Sequence, residues 1–304
     1  MKKTFFVKSF ACLLIINLSI SAIFGQKASP IIFAVLNDGK TLEPIALVEK
    51  GKLVPASDGG DETKIKTQFA KIYYKPKTSY NLIFGGASGG VVTVESSDPT
   101  AECASNLAEV LTQPTKVKLS GFVMALATNA PPSAVKSMRR QPTIDERAEI
   151  VSLVRAEFGR QKVSSLALRN LKFHNITALD VDNDGKAEIV GTSYVVTSYS
   201  KSSPNAYAIL FFIADKNKAG KYTFGFTEFK AIKQEEMMSG AAVTAIENGI
   251  YCELLLDVLE YNGDKTGEIF TYTQGLEGNG FNAYQRRGGK WIRAFEGANY
   301  HCGF

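Results

Sequence analysis

The amino-acid sequence predicts a mainly β protein. Of its 304 residues, 45% are hydrophobic and 21% are charged, which is typical of an ordered globular chain. Short apolar runs alternate with turns rich in Gly, Asn, Asp and Lys, above all after residue 170. One long segment, residues 143–159, has the apolar spacing of an amphipathic helix. These observations predict a small β-rich N-terminal domain of α+β character, one capped helix, and a C-terminal antiparallel β domain.

Residues 1–25 have the pattern of a secretory signal peptide. A start with three lysines precedes a mostly apolar stretch over residues 10–24. That stretch is shorter than the roughly 20 residues that span a bilayer. Cleavage after Gly25 or after Ala22 fits the small residues there. We therefore expect a secreted, periplasmic or cell-surface protein, of bacterial type by its compact MKK start, with no transmembrane segment after the signal is removed.

The charge of the mature chain is close to neutral. The full sequence has 35 basic and 30 acidic residues, and the leader contains three of the lysines and no acid, so the mature chain carries a net charge of +2. A near-neutral chain lacks the basic surface that nucleic acids require. We exclude nucleic acid as a partner and expect a monomer.

Three cysteines remain in the mature chain, namely Cys103, Cys252 and Cys302. An exported protein can form a disulfide, and an odd number leaves one thiol over. Pairing Cys252 with Cys302 would hold down the C-terminus, and we favour it. Three unpaired, buried thiols are the alternative.

The N-terminal domain is assigned to residues 26–130. It is followed by a linker over residues 131–142 that carries three prolines and an Arg-Arg pair. A short helix is expected to begin at Asp98-Pro99, a capping residue followed by proline. Apolar or alternating runs predict strands at 31–36, 45–48, 82–84, 91–95 and 117–125.

The C-terminal domain is assigned to residues 143–304 and opens with the helix. Thr143 and Glu146 form a capping box, Ile144, Val154 and Phe158 are spaced as on one helical face, and Gly159 suits the end. Strands are expected at 176–179, 189–196, 206–214, 222–226, 254–259, 281–284 and 291–295.

An acidic loop between two apolar strands is the most informative motif of the sequence. Its side-chain oxygens come from Asp180, Asp182, Asp184 and Glu188. Four carboxylates in nine residues repel one another, and Lys186 is the only positive charge among them. The spacing suits Ca²⁺, which takes six to eight oxygen ligands and accepts backbone carbonyls, here that of Lys186. Gly185 permits the sharp turn that such a loop requires.

A second acidic loop repeats this pattern 80 residues later. Its candidate ligands are Glu260, Asn262, Asp264 and Glu268. This loop is expected to bind calcium more weakly, because an amide replaces one carboxylate and Lys265 replaces the glycine. Further downstream, Tyr207 and Tyr284 occupy matching Asn-Ala-Tyr sequences, and Tyr222 and Trp291 follow matching Gly-Lys sequences.

The first loop resembles the D-x-D-x-D-G-x-x-[DE] calcium loops of the FG-GAP and VCBS repeats found in integrin-like proteins. The resemblance covers about residues 171–300 and implies that the acidic and amide side chains of both loops are structural calcium ligands. Each unit then has the order strand, acidic loop, strand, strand, turn, strand, as in a propeller blade. Two units do not close a propeller, so we expect two packed β-meanders that share one core.

The function predicted from these features is non-catalytic. We expect a calcium-binding β protein that serves adhesion or binds a protein or carbohydrate ligand at the cell envelope. A secreted hydrolase with a structural calcium ion is the alternative, with Glu235 and Glu236 as its loose acid candidates. The sequence from Gly86 to Gly90 matches the G-x-S-x-G pattern of hydrolases, but a strand-like run follows it, so we interpret it as a hairpin turn.

Overall fold

A computed structural model of the chain describes residues 28–56, 62–115, 117–131, 137, 139–197, 206–233 and 245–302. The predicted signal peptide, much of the predicted linker and the pair Glu235-Glu236 lie outside these residues. In the described parts, neither helix is long and apolar enough to cross a membrane.

The N-terminal half consists of seven strands and one helix. They are β1 (Ile31–Leu36), β2 (Thr41–Glu49), β3 (Lys52–Pro55), α1 (Glu62–Tyr73), β4 (Ser79–Phe84), β5 (Ala87–Ser97), β6 (Ala108–Pro114) and β7 (Ala125–Thr128). Six of the strands close into an antiparallel barrel in the order β1-β7-β4-β5-β6-β2, because β2 pairs back with β1, and β3 extends β2 outside it.

Strand β1 shows how the barrel joins the rest of the molecule. Successive side chains of a strand point to opposite faces, and here both faces are buried. Ile31 and Phe33 pack with the other barrel strands and with Tyr73 of α1. Ile32 and Ala34 pack in a different cluster, which includes residues of the C-terminal half. This double burial explains why β1 is a continuous apolar run rather than an alternating one.

The described residues of the C-terminal half form one α-helix and eight strands. They are α2 (Ile144–Arg160), β8 (Lys172–Leu179), β9 (Glu188–Val196), β10 (Ala206–Lys216), β11 (Tyr222–Lys233), β12 (Glu253–Leu259), β13 (Glu268–Gln274), β14 (Gly278–Arg287) and β15 (Lys290–Tyr300). Strands β8 to β11 form one antiparallel meander and β12 to β15 form another. The chain is therefore mainly β with antiparallel sheets, as predicted.

The elements of the C-terminal half pack in layers. Helix α2 begins at the predicted capping box, in which the Glu146 N–H donates to Thr143 Oγ1 and the Thr143 N–H donates to Glu146. Its buried apolar face begins only at Ile150, so Ile144, which was expected to be part of that face, is exposed. Ile150 packs on one face of the first meander. The other face of the first meander packs on one face of the second meander. The opposite face of the second meander packs in the cluster that contains Ile32 and Ala34 of β1.

The two meanders have the same register where their acidic loops begin and end. Leu179 pairs with Glu188 in the first, and Leu259 pairs with Glu268 in the second. The predicted equivalence of Tyr207 with Tyr284 is wrong, since Tyr207 pairs with Val196 near the end of β9, whereas Tyr284 pairs with Ile269 near the start of β13. The longer strands of the first meander displace the motif.

Buried polar contacts connect the barrel to the second meander. The Asp257 carboxylate of β12 accepts hydrogen bonds from the N–H groups of Gly85 and Gly86, at 3.0 and 3.3 Å. Glu43 of β2 accepts hydrogen bonds from the amides of Asn279 and Asn299, at 2.7 and 2.9 Å. These carboxylates are buried, so each needs such partners to offset the loss of water.

Two local predictions in the N-terminal half are wrong. The strand predicted over 117–125 is a turn, in which Ser120 bridges Val123 and the Gly121 N–H donates to Asp38, and strand begins only at Ala125. No helix begins at Asp98, because its carboxylate accepts the Thr100 N–H two residues on and forms an isolated turn. Helix α1, over Glu62–Tyr73, was not predicted from the sequence.

The disulfide prediction is correct in kind and wrong in pairing. Cys103 and Cys302 are bonded, with their Cα atoms 5.2 Å apart and a sequence separation of 199. Cys252 is a free thiol, buried in the apolar cluster between the second meander and the barrel. The C-terminal segment after β15 instead reaches the barrel loop that contains Cys103.

Candidate metal centre

The first acidic loop, residues 180–188 (hereafter loop A), connects β8 to β9 and is folded around the Asp180 carboxylate. Asp180 accepts hydrogen bonds from the N–H groups of Asp184 and Gly185, at 3.1 and 3.0 Å. Asp184 accepts one from the N–H of Lys186, at 2.7 Å. Backbone N–H groups thus orient the Asp180 and Asp184 carboxylates without the help of an ion.

Three carboxylates of loop A converge. Asp180, Asp182 and Asp184 each offer an oxygen, and these oxygens lie within 4.8 Å of one another. Calcium prefers oxygen ligands at 2.3–2.6 Å and fills its remaining positions with backbone carbonyls and water. Asp180 and Asp182 are half-buried and Asp184 is exposed, so an ion has access to them. The Lys186 ammonium lies 3.5 Å from Asp184, at the exposed rim.

Glu188, the fourth predicted carboxylate, is directed elsewhere. One of its oxygens accepts the Val181 N–H at 3.0 Å, and the other accepts Arg286 Nη2 at 2.7 Å. Burial raises the pKa of Glu188 to about 7, although both of these partners favour its ionised form. Glu188 therefore closes the loop by hydrogen bonding rather than by joining the three aspartates.

Arg286 of β14 is the residue that sequence reasoning missed. Its guanidinium contacts Asp182, Glu188 and Asp215 at 2.7, 2.7 and 2.6 Å, and it lies over the ring of Trp291. It comes from the second meander and is about 100 residues from loop A in sequence. No local pattern links the two, because the contact depends on the face-to-face packing of the meanders.

The second acidic loop, residues 260–268 (loop B), has the same backbone conformation as loop A. Positive φ angles occur at matching positions, 56° and 80° at Asn183 and Gly185 against 87° and 69° at Gly263 and Lys265. The hydrogen bonds also match. In loop B, the Asn262 side chain accepts the Asp264 N–H and the Asp264 carboxylate accepts the Thr266 N–H, both at 2.8 Å. In loop A, the Asp182 and Asp184 carboxylates accept the N–H groups of Asp184 and Lys186 in the same way.

The side chains of loop B do not converge as those of loop A do. Among the described residues, the group of three acidic side chains placed to hold a metal ion is that of loop A. In loop B, the Asn262 amide donates to Asp264 and to Glu268, and Glu260 accepts the Gly263 N–H. The two loops are neighbours, since the Gly267 N–H donates to the Val181 carbonyl at 2.7 Å.

Glu268 is the most enclosed acid of loop B. Its Oε1 accepts the Gln285 amide at 2.9 Å, and its Oε2 is buried and has no partner among the residues that the structure describes. Burial raises the pKa of Glu268 to about 8, and Asp264 contributes to the rise. The acid at the end of loop B thus has neutral amide partners and a raised pKa.

Comparison of the chain with protein-family models, with curated proteins and with solved structures gives no match. The functional interpretation therefore depends on the residues of the site.

The G-x-S-x-G sequence is a hairpin, as predicted. Gly85 and Gly86 form the turn between β4 and β5, and Ser88 lies within β5.

Proposed function

We propose that this chain is an exported β protein whose C-terminal half is stabilised by calcium and which binds a ligand at the cell envelope. The two meanders are then blade-like units of the FG-GAP and VCBS kind, each with its acidic loop between the first and second strands. The observation that carries the proposal is the convergence of Asp180, Asp182 and Asp184 on a loop whose conformation recurs in the second meander.

Calcium would have a structural role in this proposal. It neutralises the three carboxylates of loop A and fixes the turn between β8 and β9, because bound oxygens no longer repel one another. Loop A is the stronger site and loop B the weaker one. The disulfide between Cys103 and Cys302 supports a location outside the cytoplasm, where such bonds persist.

Calorimetry of the mature protein tests the calcium site. Titration of the metal-free protein with CaCl₂ should give saturable binding with a dissociation constant of about 10⁻⁴ to 10⁻³ M, as in other extracellular modules. MgCl₂ should bind more weakly, because Mg²⁺ demands stricter octahedral geometry. Absence of both binding heat and any rise in melting temperature up to about 10 mM CaCl₂ would contradict the proposal.

The predicted export is tested separately. Expression of the full chain in a bacterial host should place the mature protein outside the cytoplasm, and N-terminal sequencing should find a start at Gln26 or Ile23. An uncleaved cytoplasmic product would refute export without affecting the calcium site.

A further inference from the structure

A cavity away from both acidic loops lies where three parts of the molecule meet. It has a volume of about 440 Å³, within the range of small-molecule sites. Phe84 and Phe122 of the barrel region form one wall, and Phe173 of β8 forms another. Arg147 of α2, the segment 139–141 and residues 174–177 of β8 also belong to the lining. Sites of this kind often occur where two structural units adjoin.

The charges that line the cavity are all positive. Three guanidinium groups contribute, those of Arg139, Arg140 and Arg147, and no carboxylate belongs to the described lining. Arg139 is bound to Asp257 at 3.1 Å, and Arg140 donates to both carboxylate oxygens of Glu146, at 2.7 and 2.9 Å. These ion pairs hold the two guanidinium groups in place.

Arg147 differs from the other two arginines. It lies over the ring of Phe173, 5.5 Å from its centre, and no ion pair to a carboxylate is present for it among the described residues. An exposed guanidinium beside an aromatic ring, at the mouth of a cavity without acids, suits an anion that also has a flat apolar part.

The strand beneath the cavity is irregular at the same place. The pairing of β8 with β9 shifts register between Phe173 and Asn175, which leaves His174 in a β-bulge. Bulges are enriched next to binding sites, where they redirect side chains. Both polar atoms of the Asn175 amide, and Nε2 of His174, are buried without a partner among the described residues. Unpaired buried polar atoms are rare, and each calls for an explanation.

We propose that this cavity binds a small organic anion, with a carboxylate or phosphate group at Arg147 and an apolar body between the phenylalanine rings. Guanidinium groups bind both kinds of anion through paired N–H donors. The site contains no residue of loop A or loop B, so it goes beyond the proposed calcium function and is independent of it.

Binding of simple probes to the metal-free mature protein tests this inference. Phenyl phosphate and benzoate are titrated by calorimetry in chelating-resin-treated buffer, with benzyl alcohol as the neutral probe and inorganic phosphate as the anion without a body. We expect at least one aromatic anion to bind with a dissociation constant of about 1 mM or lower, and benzyl alcohol and inorganic phosphate to bind at least about tenfold more weakly.

Two variants of helix α2 provide the matched comparison. Arg147→Gln should weaken binding of the aromatic anion by about tenfold or more. This change removes the guanidinium that has no carboxylate partner among the described residues and that we expect to bind the anion. Arg155→Gln removes the same charge from an exposed position outside the cavity lining and should leave binding unchanged. Both changes are at exposed residues, so both variants should keep the wild-type melting temperature.

Three results would overturn the inference. The first is no binding of either aromatic anion up to about 10 mM. The second is equal weakening by the two variants, which would mean that only the net charge of the surface matters. The third is equally tight binding of the neutral probe or of inorganic phosphate, since the cavity would then not recognise an anion together with an apolar body.

Discussion

Loop A and loop B occupy equivalent places in the two meanders and share one backbone conformation. The buried carboxyl group at the end of each loop nevertheless has different partners. In loop A the acid at the end of the loop, Glu188, is bound to Arg286 of the opposite sheet. In loop B the corresponding acid, Glu268, is bound to neutral amides, and burial raises its pKa to about 8. A repeated loop therefore does not imply a repeated electrostatic environment.

This difference explains why we assign the stronger calcium site to loop A. Arg286 holds Glu188 away from the three aspartates and contacts only Asp182 among them, and the three carboxylates converge at the surface. A cation in loop B would have to displace a proton from Glu268 and break its amide contacts. The comparison yields four predictions, in descending order of expected effect.

Removal of Arg286 should have the largest effect. Arg286→Met leaves Glu188 buried without its charge partner and should lower the free energy of unfolding by about 3 kcal/mol in the absence of calcium. The matched change in loop B, Gln285→Met, removes one neutral donor from Glu268 and should cost about 1 kcal/mol. Urea unfolding at pH 7.5 with a chelator measures both. Equal losses would show that the two loops are compensated in the same way.

The dependence of stability on pH should come mainly from loop B. The pKa of Glu268 is raised to about 8 in the folded protein, against an ordinary 4.5. Its protonated form is therefore favoured by folding. The resulting stability is fully present below pH 4.5 and is lost as the pH rises towards 8, by up to about 1.4 kcal/mol per pH unit.

Glu268→Gln tests this pH effect directly. The amide stays neutral at every pH, so the decline in the free energy of unfolding between pH 5 and 8 should become shallower, and the variant should gain about 2 kcal/mol over the wild type at pH 8 without calcium. Glu188→Gln should gain less, because its raised pKa is only about 7 and Arg286 loses a partner. An unchanged pH slope for Glu268→Gln would contradict the prediction.

Calcium should stabilise the protein mainly through loop A. At a free calcium concentration ten times the dissociation constant, one site contributes about 1.4 kcal/mol, or a rise of about 3 °C in melting temperature for a chain of this size. Asp180→Asn should remove most of that rise, because it replaces one of three converging carboxylates. Glu260→Gln makes the same exchange in loop B and should leave the rise intact. The reverse ranking would assign the ion to loop B.

The smallest effect concerns the turn residue of each loop. Lys265 has a φ of 69° in loop B, where loop A has Gly185 at 80°. Side chains other than glycine disfavour this left-handed region, so Lys265→Gly should stabilise the protein by up to about 1 kcal/mol. Gly185→Ala should destabilise it by a similar amount, although its Cβ would meet no other atom within 4 Å. Thermal unfolding measures both changes, and a loss for Lys265→Gly would show that its side chain makes a contact that matters.

The correct predictions depend on sequence patterns that extend over only a few residues. The alternation and length of apolar runs located seven of the eight described strands of the two meanders, all except β13, and the capping box located α2, because these signals depend on residues a few positions apart. The acidic loops were found for the same reason, since the candidate ligands of each loop lie within nine residues of one another. The incorrect strand over 117–125 shows the limit. Its alternation is genuine, but Gly121 turns the chain before it reaches a partner strand.

Contacts between distant segments were beyond the reach of the sequence. Spacing favoured Cys252 as the partner of Cys302, whereas the packing of the second meander on the barrel encloses Cys252 and brings Cys103 to the C-terminal segment. The same packing places Arg286 against loop A and gives Glu268 its buried environment. The amino-acid order thus specified which side chains could bind a cation, because a carboxylate loop is a local feature. The folded structure set their charge balance, since burial and long-range ion pairs depend on how the layers meet.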